Sequence, residues 1–82
     1  MTRSEKAERK IRKLVDENIE LTNYIRNIEV EYDVLTDQYM NGDITAPIGR
    51  QQRYLERLSS RHKRRIERNC NKIFKLRQGV AK

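Results

Sequence analysis

Ten positions between Ala7 and Tyr39 follow one another at alternating steps of four and three residues without a break: Ala7, Ile11, Leu14, Asn18, Leu21, Ile25, Ile28, Tyr32, Leu35 and Tyr39. That spacing is a heptad seam, the pattern that keeps one stripe of a helix against a partner helix over its whole length. A second stripe, less regular, runs through Leu55, Leu58, His62, Ile66, Asn69, Ile73, Leu76 and Val80. Its step from His62 to Ile66 departs locally from strict heptads.

Between the stripes lies the only cluster of helix breakers, Asn41-Gly42-Asp43-Ile44-Thr45-Ala46-Pro47, with Gly49 just beyond. Thr2 and Glu5 have the spacing of a capping box, so the first helix is expected over about residues 3–41. Gly42 suits the left-handed position past a helix end, and Thr45 suits a new N-cap with Pro47 in the first turn. The turn is placed at 42–45 and the second helix over about 46–78, with Gly79 as its stop. Folding the chain at residues 43 and 44 opposes residues whose numbers sum to about 87, which sets Tyr32 on Leu55, Ile28 on Leu58, Leu21 on Ile66, Leu14 on Ile73, Ile11 on Leu76 and Ala7 on Val80. Asn18 then meets Asn69, amide to amide, and Ile25 lies beside His62. The expected fold is all-α: residues 1–82 form one long antiparallel two-helix coiled-coil hairpin, expected to dimerise into a four-helix bundle.

A parallel coiled-coil dimer, which would also use a seam Asn, fits less well. Its flanking pairs would be Lys10 with Val15, Glu17 with Thr22, Tyr24 with Glu29 and Glu31 with Thr36, and none is an ion pair. Val15, Ile19, Val30 and Val34 lie off the first seam, and Cys70 and Phe74 off the second. They read as a further apolar strip, a protein interface for a second hairpin or a larger partner.

Charge is spread unevenly along the chain. Residues 1–13 carry net +4, residues 14–49 net −7, residues 50–68 net +6 and residues 69–82 net +4, which together make the formal +7 of the 82-residue chain. In the hairpin the acidic middle of the first helix faces the Arg-rich start of the second, with Asp37 expected near Arg50 or Arg53, Glu31 near Arg57, and Glu20 near Arg64 or Arg68. The excess then collects at the open end, where Arg3, Lys6, Arg9, Lys10, Arg12 and Lys13 converge with Lys72, Lys75 and Arg77. A concentrated basic end selects polyanions, so these nine residues are the candidate nucleic-acid-binding set. The run Arg61-His62-Lys63-Arg64-Arg65 is read instead as a paired, solvated face, because five consecutive helical residues point all round the axis.

Other chemistry finds little footing. A chain of this length buries about 60% of its unfolded surface, which leaves no room for an enclosed enzyme pocket. One His and one Cys cannot build a nitrogen/sulfur metal site, no Gly-rich phosphate loop is present, and no cofactor or small-molecule substrate is expected. An oligomeric helical enzyme would need a polar pocket between helices, where this chain offers apolar seams. No apolar run approaches the roughly 18 residues that span a bilayer, and a lone thiol fits a reducing, cytoplasmic setting. The tip Gly42-Asp43-Ile44 resembles the acidic hairpin tip of bacterial Gre-type transcript-cleavage factors, which enters the RNA polymerase secondary channel and helps hold a metal with two acids. The resemblance implies that Asp43 matches one acid; Ala46 stands where the other belongs, and the same residues also make a good interhelical turn.

The expected function is therefore that of a small, non-enzymatic regulatory protein, a homodimer that binds nucleic acid or a nucleic-acid-associated machine through its basic open end. The alternative is an adaptor or inhibitor that docks on a larger protein through the apolar strip.

Overall fold

The computed structural model of the chain describes the backbone of residues 2–42 and 47–81, and the side chains of 2–42 and 48–79. Two helices, α1 (Arg3–Met40) and α2 (Pro47–Ala81), make one hairpin 61 Å long and 14 Å across at the Cα atoms. α1 starts where Thr2 Oγ1 accepts the Glu5 N–H at 3.2 Å, so one backbone donor that the first turn leaves unpaired is capped. It ends as the Asn41 and Gly42 N–H groups donate to the carbonyls of Asp37 and Tyr39, at 2.9 and 3.1 Å, with Gly42 at φ +85°. An L side chain would be strained there. The turn residues 43–46, including the Thr45 cap and the Asp43 tip, lie outside the described residues.

α2 does not stop at Gly79 but continues to Ala81. Glycine costs a helix about 1 kcal/mol without forbidding it, and Val80 and Ala81 offer no proline to end it.

The core is the seam. Ala7, Leu21, Ile25 and Ile28 are buried on α1, and Ile48, Leu55 and Asn69 on α2. Ile11, Leu14, Asn18, Tyr32 and Leu35 are half-buried, and the outermost expected member, Tyr39, is exposed. On α2 the half-buried residues include Gln52 and Ser59 as well as Leu58, His62, Ile66, Ile73 and Leu76. With Ile48, Gln52 and Ser59 added, the second stripe runs 48, 52, 55, 59, 62, 66, 69, 73 and 76. It is an unbroken heptad, and the apparent departure at His62 comes from taking Leu58 in place of its small neighbour Ser59.

Hydrogen bonds across the seam fix the register. Asn69 Nδ2 donates to Asn18 Oδ1 at 2.9 Å, Gln52 Nε2 to Thr36 Oγ1 at 2.9 Å, and the Tyr32 hydroxyl to Glu56 Oε1 at 3.1 Å. Their residue numbers sum to 87 or 88, the register that folding at 43 and 44 requires. Asn69 is 4% exposed and also donates to Glu17 Oε1 at 3.3 Å, while Asn18 Nδ2 lies 3.7 Å from Cys70 Sγ. No buried side-chain polar atom among the described residues is left without a partner. Val80, the expected partner of Ala7, lies outside the described side chains.

A basic face and an apolar face

Labelling the seam positions a and d gives every other residue a fixed side. In an antiparallel pair the e positions of both helices flank the seam on one broad face and the g positions flank it on the other, with b and c outside them and f at the narrow edges. The grooves of the hairpin follow this division. One, of about 480 Å³, is lined by Ala7, Glu8, Ile11, Arg12, Val15 and Arg77, whose off-seam members all hold e or b positions. Another, of about 450 Å³, is lined by Leu21, Arg61, His62, Arg64, Arg65 and Arg68, on the g and c side and its adjoining edge.

The nine expected binding residues are divided by this geometry. Arg3, Lys6, Lys10 and Lys13 on α1 and Lys72 and Lys75 on α2 share the g/c face; Arg9 sits at a narrow edge; Arg12 and Arg77 lie on the opposite face. Joined to the g/c group are Arg61, Arg65 and Arg68. From residue 3 up to the level of Arg61, the g/c face carries nine bases against two acids, Glu17 and Glu20. Over the same length the e/b face carries four bases (Arg12, Arg26, Lys63 and Arg77) against three acids (Glu5, Glu8 and Glu67). The surplus charge is therefore a property of one face rather than of the end as a whole.

The apolar strip divides likewise. Val15, Ile19, Cys70 and Phe74 form one patch on the e/b face, with Ile19 56% and Phe74 61% exposed. Val30 and Val34 lie nearer the turn toward the other face, where Val34, Leu35, Gln51 and Tyr54 line a groove of about 400 Å³. They do not continue the first patch.

The expected ion pairs of the shaft are not formed: Asp37, Glu31 and Glu20 make none with the arginines assigned to them. Among the described residues the one ion pair joins Arg65 to Glu17. Both hold g positions, the only off-seam places besides e from which side chains reach across; Asp37, Glu20, Arg57, Arg64 and Arg68 stand at c or f and point away. The Arg65 hydrogen bond, helped by that from Asn69 and the nearby charge of Lys72, holds the Glu17 carboxyl below its ordinary value. The same bond raises Arg65 above the usual guanidinium value, and the Glu56 carboxylate raises the Tyr32 phenol. His62 is half-buried at the seam and stacks on Tyr24, ring centroids 5.8 Å apart. Arg61, Lys63 and Arg64 are exposed and outside any ion pair among the described residues, so the run is solvated, with Arg65 its one paired member.

No protein-family model, curated protein or solved structure matches the chain. Among the described residues, no helix is long and apolar enough to cross a membrane.

Proposed function

We propose that the protein is a non-enzymatic helical hairpin that binds nucleic acid, or a machine that carries it, through the basic half bearing both termini. The observation that carries this reading is the nine-to-two excess of bases on one broad face of that half, of which only Arg65 is engaged by an acid among the described residues. Lys and Arg held on a rigid rod neutralise phosphates and release their counterions, giving affinity that falls steeply with salt and reads little sequence. Fluorescence titration with DNA and RNA at two salt concentrations tests it: binding is expected at low salt and loss at high salt, and no binding at low salt removes the proposal.

A homodimer is part of the same reading. Two g/c faces would repel each other, whereas the e/b face is near neutral and presents Val15, Ile19, Cys70 and Phe74, so a second copy is proposed to sit there. Sedimentation of the wild type and of Phe74→Asp is expected to show a dimer and a monomer respectively. A second reading, an adaptor docking on a larger protein, is favoured by the 62% exposure of Val30 and by the groove beside Tyr54. It predicts that Val30→Asp abolishes partner capture while neutralising Arg9, Lys10 and Lys13 leaves it intact.

A further inference from the structure

The basic face has a definite shape. Its residues recur at seven-residue intervals: Arg3 with Lys10, Lys6 with Lys13, Arg61 with Arg68 and Lys75, and Arg65 with Lys72. From the level of Arg3 to that of Arg61 is about 35 Å at 1.5 Å per residue. That equals one turn of a B-form DNA duplex, about 34–36 Å. The face is two helices wide, 14 Å between Cα extremes before side chains are added, and a major groove about 12 Å wide admits a single helix. The pair cannot enter a groove and must lie across backbones. The face is also a poor platform for unpaired bases: it offers one aromatic residue at this level, Tyr24, 53% exposed but with one ring face against His62, whereas single strands are held by bases stacking on successive aromatic side chains.

We infer that the ligand of the basic face is a nucleic-acid duplex, held by its phosphates along the hairpin so that Arg61, Arg65 and Arg68 are binding residues together with the lysines of the open end. The inference rests on the proposed function and adds the form of the nucleic acid and the extent of the site. DNA and RNA duplexes share the phosphate chemistry that the face recognises. Glu17 occupies one of the track's guanidinium groups, Arg65, and so limits its strength.

The test is fluorescence anisotropy with DNA and RNA duplexes of about 20 base pairs and with a single strand of equal length, from about 50 to 200 mM salt. Three double variants remove the same charge from different places: Arg61→Gln/Arg68→Gln on the track, Lys6→Gln/Lys13→Gln at the open end, and Arg26→Gln/Lys63→Gln on the opposite face. Each lost phosphate contact is expected to flatten the log–log salt slope by about 0.9 and to weaken binding about 15-fold at 50 mM. Both g/c variants should lose affinity for a duplex while the e/b variant stays near wild type; Glu17→Gln should tighten binding severalfold. Arg61→Lys/Arg68→Lys, which keeps the charge, should bind, separating loss of contact from loss of fold. A track variant that binds like wild type, equal losses on both faces, an unchanged Glu17→Gln, or tighter binding to the single strand overturns the inference while leaving nucleic-acid binding intact. Failure of every nucleic acid to bind at 50 mM overturns the proposed function itself.

Discussion

Replacing Asn69 by alanine removes the most buried polar side chain among the described residues. Its Nδ2 donates at 2.9 Å to Asn18 Oδ1 and at 3.3 Å to Glu17 Oε1, and the side chain is 4% exposed. A hydrogen bond of this kind stabilises by about 1 kcal/mol net, and stranding a buried partner costs about 1–3 kcal/mol more. Asn18 is half-buried and water can reach it in part, which puts its share at the low end; the loss expected for Asn69→Ala is about 2 kcal/mol, and similar for Asn18→Ala. Because both substitutions break one bond, Asn18→Ala/Asn69→Ala should cost about 2.5 kcal/mol rather than the sum of the singles, a coupling of about 1.5 kcal/mol. Urea denaturation of the four proteins measures the cycle, and in a chain of this size each kcal/mol moves Tm by about 4–8 °C. Energies that add to within about 0.5 kcal/mol would sink this account, since they would mean that the two amides do not meet in solution and that the register is set elsewhere.

Two glycines should respond with opposite signs. Gly42→Ala forces an L residue to φ +85° and is expected to destabilise by about 1 kcal/mol, whereas Gly79→Ala, in a helical turn with open space around it, is expected to stabilise by about 0.5 kcal/mol; thermal melts decide both. The lowered pKa of Glu17 predicts a contribution to stability present above the ordinary carboxylate value and lost as pH falls through the depressed one, because the folded state prefers the ionised form. Denaturation midpoints between neutral and acidic pH should therefore fall less steeply for Glu17→Gln than for wild type, and identical slopes would count against the Arg65 pair.

The hairpin is legible in the sequence because its seam is built mainly of Ile and Leu at steps of four and three, and because the single breaker cluster leaves only one place to fold. The register is legible from Asn18 and Asn69, two amides that each need a partner and find it only about residues 43 and 44. What escapes are seam positions whose side chains do not advertise burial. Ser59 reads as surface beside Leu58, yet a small hydroxyl fits between two close helices; Gln52 enters the core through its bond to Thr36, and Ile48 follows Pro47 too closely to stand out as seam. Gly79 looks like a stop on composition alone, although nothing after it ends a helix.

Charge is harder to read, for a geometric reason. Summing it along segments averages around each helix, so opposite totals on facing helices look like pairing. An off-seam side chain reaches across a two-helix seam only from e or g, and of the acids of the shaft Glu17 has an arginine at the matching g position while Glu31, also at g, is opposed near Gln51 and Leu58. Arg61 and Arg68 therefore look like neutralised shaft in a segment count, while their seven-residue spacing, continued by Lys75 and repeated by Arg65 and Lys72, is the sign of a one-sided row. Four of the six off-seam apolar residues divide in the same way: Val15 and Cys70 at e and Ile19 and Phe74 at b fall on the face whose bases and acids nearly balance. A rod with one broad face strongly basic and the other near neutral with an exposed apolar patch could present the first to a polyanion while a partner covers the second, and neither contact would obstruct the other.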